Sequence, residues 1–294
     1  YNMLWIIFTL IAMLLWTVVN IMDKYIIGHE LRDPILVTTV FGFTIYLLFI
    51  LVAVLNGGVI IPVWMVIMAM LAGIIYSTGL GFYYMAMKKV EVSRLAPMLS
   101  TEPLLISAIA FFVFQERLSI MNYIGILLII TGAVLITHRK SEAKSKLFKF
   151  YVFAFVAMMF FALRNILIKY VSSGIDFWPM LFWFGIGGIV VPLVLLVVHH
   201  PHIREKAKVG IIHLCFVAIL SGLALIFFTK AISLGSVSLV SALMATKPML
   251  VFFAATFLSF FYPKIILERH SRKVLLKKTM AIGLIVAGGV FIIL

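Results

Sequence analysis

The 294-residue chain is short of charge, of acid and of cysteine. Only 12% of its residues are Asp, Glu, Lys or Arg. That is about half the share in a water-soluble domain, so a soluble enzyme or binding module is excluded. The single cysteine, Cys215, lies inside an apolar run; an intrachain disulfide is impossible and the redox compartment is left open. There is no His-Glu-x-x-His pair and no Walker loop, and Gly79-Leu80-Gly81 lacks the rest of a dinucleotide fingerprint. No Ser/His/Asp arrangement with supporting context is visible, and His213 reads as a lone packing histidine. His199, His200 and His202 flank a proline and read as an interfacial turn rather than a metal site. The residues therefore indicate no enzyme, no cofactor and no metal. Segments of alternating polarity, which a β-barrel needs, are also missing.

What the chain has in quantity is apolar sequence, 65% of all residues. Runs of about 20 apolar residues follow one another, each long enough to cross a bilayer as a helix. The fold class is an all-α polytopic membrane protein. Ten spans are predicted, at 3–22, 35–55, 63–87, 95–114, 119–137, 149–171, 177–198, 209–231, 237–261 and 276–294. The first run is too long, and too similar to a later one, for a cleaved signal peptide. The net charge of +14 could suggest nucleic acid. Its placement in short loops points instead to anchoring of topology at the membrane, with no nucleic-acid partner.

The later run belongs to a second copy of the first half. At an offset of 145 residues Asn20, Lys24 and Tyr25 recur as Asn165, Lys169 and Tyr170. Pro34 recurs as Pro179, Gly42 as Gly187, Ala86 as Ala231 and Ser93 as Ser238. The domains expected are a first five-helix repeat over 1–140, a basic linker over 141–148 and a second repeat over 149–294. Five is odd, so the second copy enters the membrane from the opposite side and the halves are inverted. Inverted repeats are a hallmark of secondary transporters, with the substrate site near the midplane between the halves.

Lys and Arg set the orientation. Of the 24, all but Arg117, Arg164, Lys169, Lys230 and Lys247 lie in loops 1–2, 3–4, 5–6, 7–8 and 9–10. The positive-inside rule then puts those loops in the cytoplasm and both termini outside.

Charges within a span are costly and mark function by default. Among the ten acids, Glu102 alone is placed deep in a span; the deep bases are Lys247 and Arg164. Glu102 and Lys247 occupy one repeat position, in Thr101-Glu102-Pro103 and Thr246-Lys247-Pro248. Pro103 and Pro248 remove an N–H and free the carbonyls of Leu99 and Met244. Each half thus offers a charge, a hydroxyl and a carbonyl near the centre. Substrate contact is one reading of Glu102 and Lys247; mutual neutralisation that pins two helices is the other. Asn20 and Asn165 either contact substrate or bond between helices, and Lys24 and Lys169 read as snorkelling. Trp16 and Tyr83 are the aromatic candidates for a pocket. The span glycines, among them Gly73, Gly187, Gly283 and Gly289, read as close helix packing.

Several of these features together are similar to the drug/metabolite transporter superfamily, EamA type. They are Tyr83-Tyr84-Met85-Ala86, Glu102-Pro103-Leu104, Gln115-Glu116-Arg117-Leu118, Ile124-Gly125 and Thr131-Gly132. The second half keeps the order with Phe228, Ala231, Pro248, Glu268-Arg269, Gly283 and Gly288-Gly289. Two departures are Gln115, where the family often has Gly, and seven extra residues before Glu268. The resemblance implies a ten-helix bundle with a central cavity lined by spans 1, 3, 4, 6, 8 and 9, and both termini in the cytoplasm, against the charge count. The function expected is secondary transport of a small polar organic metabolite, an amino acid or similar zwitterion, by alternating access, with proton coupling or exchange. The alternatives are an anionic or phosphorylated metabolite as substrate, or a non-transporting multi-span partner protein. The expected setting is the plasma or inner membrane, as monomer or homodimer in the lipid bilayer.

Overall fold

The computed structural model describes residues 3–31, 33–57, 59–88, 99–137, 148–199, 208–261 and 272–293. All regular structure among them is helical. The basic linker up to 147, most of the His199–His202 turn, and Glu268-Arg269 lie outside the described residues. The helices are α1 (Leu4–His29), α2 (Pro34–Leu55), α3 (Val63–Met87), α4 (Glu102–Phe114), α5 (Ile120–Thr137) and α6 (Phe148–Ser172). They continue as α7 (Phe177–His199), α8 (Lys208–Leu234), α9 (Val237–Met244), α10 (Lys247–Phe261) and α11 (Arg272–Ile293).

Six stretches are long and apolar enough to cross a bilayer: Leu4–Asp23, Pro34–Leu55, Val63–Met87, Phe148–Ser172, Phe177–His199 and Lys208–Leu234. Shorter apolar helices occupy Glu102–Phe114, Ile120–Leu135, Val237–Val251 and Met280–Ile292. The chain is thus a polytopic helical membrane protein, and the apolar segments follow the order of the expected spans.

Local chemistry sets several ends. Asp33 caps α2, its Oδ1 accepting from the Ile35 N–H at 3.0 Å, and Pro34 follows where a missing donor costs nothing. At the far end of the chain Asn122 Nδ2 donates to the carbonyls of Phe291 and Ile292 at 3.1 and 3.3 Å, tying the last turn of α11 to α5.

Three boundaries differ from expectation. Helix α1 runs a further two turns, to His29, which takes Asp23 into the helix. The ninth span is not continuous: α9 ends at Met244 and α10 starts at Lys247. Span 4 is interrupted at the equivalent place, Ser100-Thr101, before α4 begins at Glu102. The cause is shared. Pro248 and Pro103 cannot donate to the carbonyls of Met244 and Leu99, so the ladder stops there. Each proline then serves in the first turn of a new helix, where an N–H has no intrahelical acceptor. The prolines start half-helices rather than kink whole ones.

Packing follows the repeat. Helix α3 lies along α6, and α1, the counterpart of α6, lies along α8, the counterpart of α3. Counterparts also meet directly, α2 with α7 and α5 with α11. The closest approach is between α3 and α7. A Cβ on Gly187 would sit 2.1 Å from the Met70 carbonyl oxygen, and one on Gly73 would sit 2.1 Å from that of Phe184. Only hydrogen at both positions lets the backbones touch. Gly283 and Gly289, by contrast, face nothing within 4 Å, so the packing reading fails for them.

The surface inverts the pattern of a water-soluble protein. Leu55, Phe112 and Val198 are 75%, 75% and 73% exposed, whereas Arg164 and Asn165 are 2% and 3% exposed. Large apolar side chains outside and charge inside suit a hydrocarbon solvent.

Candidate functional site

The two helix breaks place Glu102 and Lys247 as the first residues of α4 and α10. A helix N-terminus carries about half a positive charge, so it favours Glu102 and disfavours Lys247. The two residues therefore need different surroundings, and they have them.

Around Glu102 the groups satisfy one another. Its Oε1 accepts from Asn165 Nδ2 at 2.8 Å. The Asn165 Oδ1 in turn accepts from Arg164 Nη1. The Arg164 guanidinium lies between two rings, 4.7 Å from the centre of Tyr76 and 5.4 Å from that of Phe228. One amide thus links a buried base on α6 to an acid on α4. The Nε of Arg164 remains buried without an acceptor.

Around Lys247 the groups do not close. Its Nζ stands 5.7 Å from the ring centre of Trp16, and it has no hydrogen-bond acceptor among the described residues. No ion pair joins Lys247 to Glu102 among them, so direct mutual neutralisation is not what holds α4 and α10. Lys247 feels the charges of both Glu102 and Asp23. Asp23 is only 5% exposed, and its Oδ1 is buried with no partner.

Asp23 is the residue that sequence reasoning misses. Ending the first span at residue 22 places it in a loop. The signal was nonetheless present, because Trp16, Asn20 and Asp23 recur at four and three residues, on one helix face. Apolar Tyr25-Ile26-Ile27 beyond it also argues for more helix.

The remaining candidates divide. Trp16 Nε1 donates to Ser221 Oγ at 3.0 Å, joining α1 to α8 beside Lys247. Asn20, half-buried, makes no hydrogen bond among the described residues. The Tyr83 ring lies 5.5 Å from that of Tyr84 and 6.3 Å from that of Phe161, within reach of the Asp23 charge. The hydroxyls of Thr101 and Thr246 are both taken up by protein acceptors. Thr101 meets Met158 Sδ at 3.3 Å, and Thr246 meets the Leu243 carbonyl at 2.8 Å and Met13 Sδ at 3.1 Å. His213 is not alone: its Nδ1 lies 3.0 Å from a carboxylate oxygen of Glu30. A shallow depression of about 460 Å³ near Ile60–Pro62 and Ser172–Asp176 gathers none of the charged set.

A second polar cluster grips the turn between α8 and α9. Glu116 Oε2 accepts from the hydroxyls of Ser236 and Ser238 at 2.7 and 2.8 Å, and Oε1 from the Val237 N–H at 3.1 Å. Lys169 Nζ donates to the carbonyls of Gly235 and Ile232 at 2.6 and 3.3 Å. Lys169 is therefore tied to protein rather than snorkelling. An acid sits at the N-terminus of α9 and a base at the C-terminus of α8, each where the helix dipole favours it.

No curated protein matches the sequence. One solved crystal structure aligns over 98% of this chain and 98% of its own, at 18% identity and a TM-score of 0.74, a likeness of fold alone. The EamA-like transporter family matches residues 3–138, the first repeat, in which Glu102, Glu116 and Asp23 lie. The match spans the first repeat, which is therefore similar to the EamA-like transporter family of the drug/metabolite transporter superfamily.

Proposed function

We propose that the protein is a secondary transporter of a small polar organic metabolite, an amino acid or similar zwitterion. Two inverted five-helix halves, 1–140 and 149–294, expose one central site alternately to either side of the membrane. The observation that carries this reading is the pair of helix breaks at the same repeat position, one led by Glu102 and the other by Lys247. Broken helices at membrane depth are tolerated where they line a cavity, and half-helix termini are a common ion and substrate device. Negative charge on Glu102 and Asp23 can meet an amine; positive charge on Lys247 and Arg164 can meet a carboxylate. Among the described residues neither acid is cancelled by a direct ion pair, so a ligand carrying both charges gains more than one carrying either.

An anionic or phosphorylated metabolite is the second reading. It is favoured by the unpartnered Nε of Arg164 and the unpaired Lys247 at the N-terminus of α10. Thermal unfolding of the detergent-purified protein, scanned against amino acids and phosphorylated metabolites, separates the two. Stabilisation by amino acids alone supports the first reading. Stabilisation by phosphorylated compounds alone supports the second. A non-transporting partner protein would respond to neither.

A further inference from the structure

The two charged limbs of the site are built from equivalent helices but differ in how far they satisfy themselves. On the α6–α4 limb, Arg164, Asn165 and Glu102 form a continuous chain of hydrogen bonds. On the α1–α10 limb, the equivalent helices carry Asp23 and Lys247, and no bond bridges them. Lys247 is half-buried with only an aromatic face beside it, and Asp23 Oδ1 is buried with no donor. Each nevertheless feels the other's charge. An unpaired buried carboxylate oxygen is costly, and a fold that keeps it open beside an opposite charge leaves room for a third party.

Resting on the zwitterion reading above, we infer that Asp23 and Lys247 form the subsite that grips the substrate's two charges, while Glu102, bonded through Asn165 to Arg164, borders the same path. Asp23 Oδ1 receives the ammonium group. Lys247, at the positive end of α10, receives the carboxylate. A molecule with an ammonium and a carboxylate on one carbon carries a partner for each side chain. Its ammonium supplies the donor that Asp23 lacks, and its carboxylate the acceptor that Lys247 lacks. Among the described residues, Lys247, Tyr76, Tyr83 and Tyr84 interact electrostatically with Asp23. Trp16 and Asn20, on the same face of α1, flank it.

The test measures dissociation constants by calorimetry in detergent for leucine, phenylalanine, serine and glutamine, and for the same acids without the amine. Wild type is expected to prefer at least one amino acid over its amine-free acid by tenfold or more. Asp23→Asn should abolish that preference, leaving the amine-free acid bound within threefold of wild type. Lys247→Met should weaken the amine-free acid at least tenfold. Without ligand, Asp23→Asn should raise the melting temperature, because it removes a buried carboxylate whose Oδ1 has no donor, whereas Asn165→Leu should lower it. If wild type prefers an amino acid and Asp23→Asn keeps the preference, the subsite is refuted and the zwitterion reading survives. If wild type binds none of the amino acids, the zwitterion reading falls and takes the subsite with it. A fall in the melting temperature of ligand-free Asp23→Asn would also refute the subsite, by giving Asp23 a structural role.

Discussion

The grip of Glu116 on the start of α9 yields the most quantitative prediction. Three donors, the hydroxyls of Ser236 and Ser238 and the Val237 N–H, converge on one half-buried carboxylate at 2.7, 2.8 and 3.1 Å. Hydrogen bonds to a charged group contribute about 1.5–3 kcal/mol each, but bonds sharing one acceptor group are not additive. The freed hydroxyls can turn elsewhere, whereas the Val237 N–H cannot. Glu116→Ala should therefore cost about 2–4 kcal/mol in the grip, or roughly 30- to 800-fold in the equilibrium between gripped and released turn. Glu116→Gln, which keeps one acceptor but loses the charge, should cost about half as much. The assay is the distance between spin labels at Met121 and Leu234, both on exposed positions, in a Cys215→Ser background. The parent should give one distance, and Glu116→Ala should add a longer one that dominates. A single unchanged distance in Glu116→Ala, with unchanged helicity and melting temperature, would refute the reasoning.

Three further substitutions probe the fold and the site. Gly187→Ala forces a methyl against the Met70 carbonyl, where a Cβ would lie at 2.1 Å; prising α3 from α7 should cost about 1–3 kcal/mol or more in SDS titration. An unchanged midpoint would show that the helices are not in close contact. Gln115 stands at the C-cap of α4 with φ +54°, a left-handed conformation that costs an L-residue about 1–2 kcal/mol. Gln115→Gly should therefore stabilise by about 1 kcal/mol, and a loss of stability would contradict that. Asn165→Leu removes the amide between Arg164 and Glu102 and should cost about 2–4 kcal/mol, read as a lower melting temperature. No change would mean that the chain of bonds does not form.

How far the sequence reveals the fold depends on what kind of signal each feature leaves. Apolar runs and the 145-residue repeat are written in residue type, so the membrane class, the order of the helices and the repeat equivalence of Glu102 and Lys247 are legible. Gln115 stands out in the sequence only as a departure from the family's Gly, and its left-handed angle emerges in the structure. Breaks are less legible. Proline announces an interrupted ladder but not whether the chain bends or restarts, and only the structure shows Lys247 opening a new helix. Asp23 is hidden by a boundary: an acid beside a lysine at the end of an apolar run looks like a loop. The Glu116 grip is hidden for another reason. Ser236 and Ser238 lie 120 and 122 residues from it, and sequence spacing carries no information about that contact.

The central claim is that the charges at the two helix breaks form the path of a transported solute. Saturable uptake into proteoliposomes of radiolabelled leucine, phenylalanine, serine and glutamine, by wild type and by the double variant Glu102→Gln/Lys247→Met, tests it most directly. The result predicted is uptake of at least one amino acid by wild type, falling to the level of protein-free liposomes in a double variant that still purifies as a single folded species. A double variant that transports as wild type does, or a wild type that moves none of the four, would contradict it.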